Sequence, residues 1–257
     1  MASWSAPRLI EDDDGAGLQA VFDERRRGAD DFFAQAEKAR GLVVYSEPTS
    51  ALGVAWGVRT FRRALREARV DRPLITYDWS RGWRGFFIVP DVKVPHLHRG
   101  RGRRLAHWLA RYSRAHPDHT LDIVAMSGGC YVALQALEHL PADVSVKRCI
   151  LMAGAFSPEY DLSPALERVA ERMYVYYSPG DWLTVGLGTC IFGCNDGVHG
   201  FAVGNRGPLL RDHPHYREKL VVRKYTWRWL KYGYIGDHPT ARSRGFLAKE
   251  VLPALHP

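Results

Sequence analysis

A chain of 257 residues, 46% hydrophobic and 25% charged, suffices for one large core and reads as an ordinary globular protein. Its net charge of +8 rests on arginine runs such as Arg25–Arg27 and Arg99–Arg104, but acids intervene and no nucleic-acid module is recognisable, so solvated helix faces are expected and a nucleic-acid partner is not. Four cysteines form no secreted framework, no apolar run nears the ~20 residues of a membrane span, and Glu11-Asp12-Asp13-Asp14 argues against a signal peptide, so the cytoplasm is the expected compartment.

Residues 1–17 read as an unstructured lead and 18–257 as a single domain. Leu42–Ser46 is a short apolar strand. Over 56–69, Val58, Phe61, Ala64, Leu65 and Ala68 recur at helical spacing, with arginines opposite. Pro73–Trp79 reads as a strand, 81–98 as irregular with an extra hairpin, and 102–114 as a helix burying Leu105, Trp108, Leu109 and Tyr112. Thr120–Met126 is a strand covered on both faces, and helical spacing sets in from Cys130 until Pro141. Further strands are expected at 148–154, 172–178 and 219–227, with a closing helix near Gly245–Leu255. The glycine-rich stretch 186–216 is patterned weakly, as a site wall or a decorated loop. Alternation of strands with helices predicts an α/β fold: a mostly parallel central sheet with helices on both faces.

Only Ser127, Gly128 and Gly129 separate the strand pattern from the helix pattern. Ligands of such sheets sit beyond the carboxyl ends of the strands, where Ser127 falls. A turn this tight draws together the residues two before and two after the serine, and Ala125 and Gly129 are small enough. The Gly128 N–H then faces a developing oxyanion at the helix's positive end. The bland alternative is a Ser-Gly-Gly turn with an N-capping serine.

With this Ala-Met-Ser-Gly-Gly corner the chain resembles the α/β-hydrolase family, its lipase- and esterase-like members in particular, from about Gly41 to Leu255. The resemblance implies the order nucleophile, acid, histidine, each at a strand end. Ser127 takes the first place. Asp181 in Ser178-Pro179-Gly180-Asp181 takes the second, with Glu159, Asp161 and Asp196 as rivals, and His238 takes the third, with His199 as rival. His238 then receives the serine proton while Asp181 holds the imidazole. The family's His-Gly oxyanion motif is absent: the chain has Glu47-Pro48, and Pro48 carries no N–H, which leaves Thr49 or Ser50 as the second donor beside Gly128.

The function so implied is a serine hydrolase of carboxylic esters working through an acyl-enzyme, with a small-molecule ester as substrate and no cofactor or metal ion. Cys190, Cys194 and His199 are poorly spaced for zinc. Trp56, Trp79, Trp83, Phe86, Trp182 and Phe192 are expected to line an apolar pocket or to pack in core and loops. The competing class is a catalytically silent relative that binds a small molecule or a protein.

Overall fold

The computed structural model describes residues 8–11, 17–21, 29–47, 56–79 and 95–256. Eight strands form one sheet: β1 (Arg8–Glu11), β2 (Gly17–Val21), β3 (Gly41–Ser46), β4 (Leu74–Asp78), β5 (Thr120–Met126), β6 (Val146–Met152), β7 (Val169–Tyr177) and β8 (Leu220–Lys224). Their spatial order is β1-β2-β4-β3-β5-β6-β7-β8. The six from β4 to β8 run parallel, and β2 and β1 continue the sheet antiparallel beyond β4. The lead expected to lack structure contains β1, which pairs with the next strand, β2, and β2 pairs in turn with the distant β4.

Period-two alternation decides which helices cover which face. On one face Leu42, Val44, Leu121, Ile123, Ala125, Cys149 and Leu151 pack against helices α3 (Pro95–Ala115) and α4 (Gly128–Glu138). On the other, Val43, Tyr45, Val124, Met126, Ile150 and Met152 pack against helix α2 (Trp56–Glu67) and the closing helical turns from Arg244 to Leu255. The expectation of a mostly parallel sheet sandwiched by helices holds.

Helix α3 begins seven residues before the expected 102, at Pro95, a residue suited to a first helical position. Gly102 is no breaker here: a Cβ on it would lie 2.4 Å from Gln135 Cβ, so the glycine lets α3 press against α4. Helix α1 (Ala29–Ala39) and the short helices Ser163–Glu167 and Pro214–Lys219 complete the cover. The segment 186–216, expected as wall or loop, is pinned through its backbone. Asn195 N–H donates to Ala155 O at 2.8 Å, Val203 N–H to Phe156 O at 2.8 Å, and Gly204 N–H to Gly154 O at 2.8 Å. The hairpin expected within 81–98 falls on 81–94, outside the described residues, and α3 occupies the rest.

Candidate active site

Strand β5 ends at Met126 and α4 begins at Gly128, so Ser127 alone makes the corner. Its backbone sits at φ 54° and ψ −126°, outside the regions open to L-residues at no cost. Strain of this kind is worth about 1–3 kcal/mol and persists where the surroundings impose it. The surroundings are visible: Ser127 N–H donates to Met152 O at 3.0 Å, and Ser127 O accepts from Cys130 N–H at 3.1 Å and Ala155 N–H at 3.3 Å. No side-chain capping bond is made by Ser127, which removes the simple N-cap reading of the turn.

Crowding at the corner is as the tight turn requires. A Cβ on Gly129 would stand 2.1 Å from the carbonyl oxygen of Ser46, at the end of β3, and Ala125 is fully buried. Gly128 meets a different neighbour: its Cβ would lie 3.0 Å from the Trp79 ring and 3.5 Å from Asn195 Oδ1. The N–H of Gly128 belongs to the first helical turn, where no intrahelical acceptor exists. Trp79, 2% exposed, meets His98 edge to face at 5.1 Å, so it is a buried wall at the corner.

The other two residues come together from separate loops. His238 Nδ1 lies 2.6 Å from Asp181 Oδ2, the carboxylate being almost wholly buried and the imidazole 16% exposed. Asp181 is set by a turn just past β7, where its N–H donates to Ser178 O at 3.0 Å and Gly180 N–H to Ser178 Oγ at 3.1 Å. The histidine loop packs directly on that turn, since a Cβ on Gly180 would stand 3.0 Å from Gly236 O. Beyond it Asp237 Oδ1 accepts from Thr240 N–H at 3.0 Å, which fixes the helical turn that follows His238. Among the described residues the Ser127 hydroxyl makes no hydrogen bond to the His238 ring. In unliganded enzymes such bonds are commonly long and close only on substrate.

The rivals are engaged elsewhere. Asp196 accepts from Ser157 Oγ at 2.5 Å and from Ser157 N–H at 3.2 Å. Asp161 accepts from Ser163 Oγ at 2.8 Å, and His199 Nδ1 lies 3.1 Å from Cys190 O. Cys190 and Cys194 are free thiols. A cavity of about 420 Å³ beside Ser157, His199 and Phe201 includes none of Ser127, Asp181 or His238 in its lining.

Sequence reasoning overlooked the buried ion pair made by Glu47. Its carboxylate, 4% exposed, accepts from Tyr45 Oη at 2.6 Å and pairs with the Arg242 guanidinium at 2.8 Å. Tyr45 itself stacks on Phe61 at 4.1 Å, and burial, with Glu47 second, raises its pKa well above the usual tyrosine value. The bridge ties the end of β3 to the turn that follows His238. A buried carboxylate needs a cation, and that was the available signal. Thr49 and Ser50, expected as oxyanion donors, lie outside the described residues, as do Trp83, Phe86 and the side chain of Trp56. Trp182, next to Asp181, is 55% exposed. It heads a helical run in which Leu183, Leu187 and Ile191, spaced four apart, are also exposed and form an apolar stripe.

No protein-family model matches the chain, and no curated protein matches it. Among solved structures it is similar to an α/β serine hydrolase without a lid from Xanthomonas campestris, at 16% identity and TM-score 0.53, over 98% of this chain and 95% of that one. A fainter likeness is to the mature form of a Bacillus licheniformis lipase, at 12% identity and TM-score 0.48, over 93% and 98% of the two chains. At such identities the fold is what is shared, and the fold is α/β-hydrolase-like. Among the described residues no helix is long and apolar enough to cross a membrane.

Proposed function

We propose that the protein is a serine hydrolase acting on carboxylic esters, with Ser127, His238 and Asp181 as its triad. The observation that carries the proposal is the pairing of a strained serine at the β5–α4 corner with a hydrogen-bonded His–Asp couple past the later strands β7 and β8. Ser127 Oγ attacks the ester carbonyl as His238 Nε2 takes its proton, while Asp181 holds the Nδ1–H tautomer and offsets the imidazolium charge. The oxyanion that forms is met by the Gly128 N–H, with Thr49 or Ser50 as the second donor. Collapse expels the alcohol, protonated by His238, and leaves an acyl group on Ser127. Water then attacks that acyl group with His238 again as base, which releases the acid and restores the serine. The apolar stripe beginning at Trp182 favours an apolar acyl chain over a charged one.

Fluorophosphonate labelling of the parent and of Ser127→Ala tests the reading. Covalent labelling of the parent alone supports it; equal labelling of both, or of neither, overturns it. A second reading, a silent binding protein on the same fold, is favoured by Glu47-Pro48 standing where His-Gly is usual. It forecasts an unlabelled parent that nonetheless binds a small hydrophobic ester with Ser127 unmodified.

A further inference from the structure

At the opposite end of the sheet, helix α3 gives way to β5 through the turn His116-Pro117-Asp118-His119, and the C-terminal end of α1 lies against it. We propose that Glu37, His116 and His119 form a binding site for one divalent transition-metal ion of the zinc class, which fastens α1 to the turn that starts β5.

The donor atoms already stand close to the spacing of one coordination sphere. His119 Nε2 is 3.2 Å from Glu37 Oε2, and His116 Nδ1 is 3.7 Å from the same oxygen. Ligands about 2.0–2.1 Å from a tetrahedral ion are separated by roughly 3.3–3.5 Å along an edge. All three donors lie within 4.8 Å of one another. Two imidazoles and one carboxylate are a donor set that zinc takes readily, with its fourth position left to water.

The surroundings do what a ligand shell requires. With Nε2 facing Glu37, the other nitrogen of His119, Nδ1, lies 2.8 Å from the Tyr112 hydroxyl, which is able to accept from Nδ1–H when Nε2 ligates. The His119 side chain is only 5% exposed, so its ring is held by packing as well. His116 N–H donates to Tyr112 O at 2.9 Å and His119 N–H to His116 O at 3.0 Å, so a tight turn with Pro117 at its second position presents both rings. Glu37 is tied to the same place: Thr120 N–H donates to Arg40 O at 2.9 Å, and Arg40 N–H to Glu37 O at 3.1 Å. The two rings stack at 4.7 Å with 19° between their planes. Ligation asks the more exposed His116 ring to turn out of that stack toward the common point.

The test uses the full chain, stripped of any histidine tag and of metal by a chelator. Zinc is titrated calorimetrically, and cobalt is followed by its visible ligand-field absorption. The expected result is one equivalent bound, with affinity lowered at least ~10-fold in Glu37→Gln and in His116→Ala, whose side chains are exposed enough to spare the fold. Tyr112→Phe, which removes no ligand, should weaken binding by about 10-fold through the loss of the His119 partner. A parent that binds no zinc overturns the proposal. So does binding that these variants leave unchanged, in particular if Cys190→Ser or Cys194→Ser abolishes it.

Discussion

Replacing Gly129 by alanine adds one methyl group at the closest contact of the serine corner. That methyl would be built 2.1 Å from Ser46 O and 2.7 Å from Ser46 C, both backbone atoms of a fully buried strand. Ordinary contact is more than ~1 Å longer, so either β3 or the first turn of α4 must give. Overpacking of this kind costs about 1–3 kcal/mol. Helix propensity pulls the other way, favouring alanine over glycine by about 1 kcal/mol. The sign of the change is therefore diagnostic: an uncrowded turn is stabilised, whereas the crowded corner is destabilised. Net of the propensity gain the cost is up to about 2 kcal/mol, and for a domain of this size the expected loss is up to about 8 °C in Tm. Urea denaturation read beside fluorophosphonate labelling measures both fold and corner. A variant as stable as the parent, or more so, and labelled at the parent's rate would refute the crowding argument.

His238→Ala should lower turnover of a short p-nitrophenyl ester far more than His199→Ala, and equal losses would remove His238 from its assigned role. Asp181→Asn should leave thermal stability within a few degrees while lowering kcat by about 10³-fold or more, since an asparagine supports the wrong imidazole tautomer. Arg242→Ala leaves the buried Glu47 carboxylate without its cation, and a cost of about 1–3 kcal/mol is expected. If the bridge also positions the histidine loop, kcat falls further than the same loss of stability explains elsewhere, and an unchanged kcat would show the bridge to be structural alone. Burial pushes the Cys194 thiol up to about 12, so it stays protonated at neutral pH and begins to form thiolate only as pH rises toward that value. Iodoacetamide at pH 7 should accordingly modify the more exposed Cys190 first, which peptide mapping would reveal.

The sheet and its central corner were legible because two patterns meet there within three residues. The continuous apolar run of β5 and the helical spacing in α4 are both local signals, and buried residues on both sides make each of them strong. Helix α3 was legible except for its first seven residues, beside the glycines at 100 and 102, of which Gly102 serves to let the helix pack on Gln135. Strand β2, on which β1 pairs, and the path of 186–216 depend on backbone partners far along the chain, which no local pattern encodes. The same holds for the Glu47–Arg242 bridge, whose members are 195 residues apart. Asp181 and His238 are 57 residues apart, yet chain order brings them forward where spacing alone does not. His116 and His119 lie in plain view, but their common partner Glu37 belongs to a helix that the hydrophobic pattern leaves unremarked.

The turns from Arg244 to Leu255 have a bearing on how far the chain can be shortened. Phe246, Leu247, Val251, Leu252 and Leu255 fill the face of the sheet opposite α3 and α4, against Val43, Tyr45 and Phe61 from the first quarter of the chain. Arg72 grips Leu255 O at 2.8 Å while also holding Asp122 at 2.5 Å, and His256 Nε2 reaches Ala68 O at 2.8 Å. A chain cut back to before residue 244 thus carries a bare apolar sheet face, open to other chains.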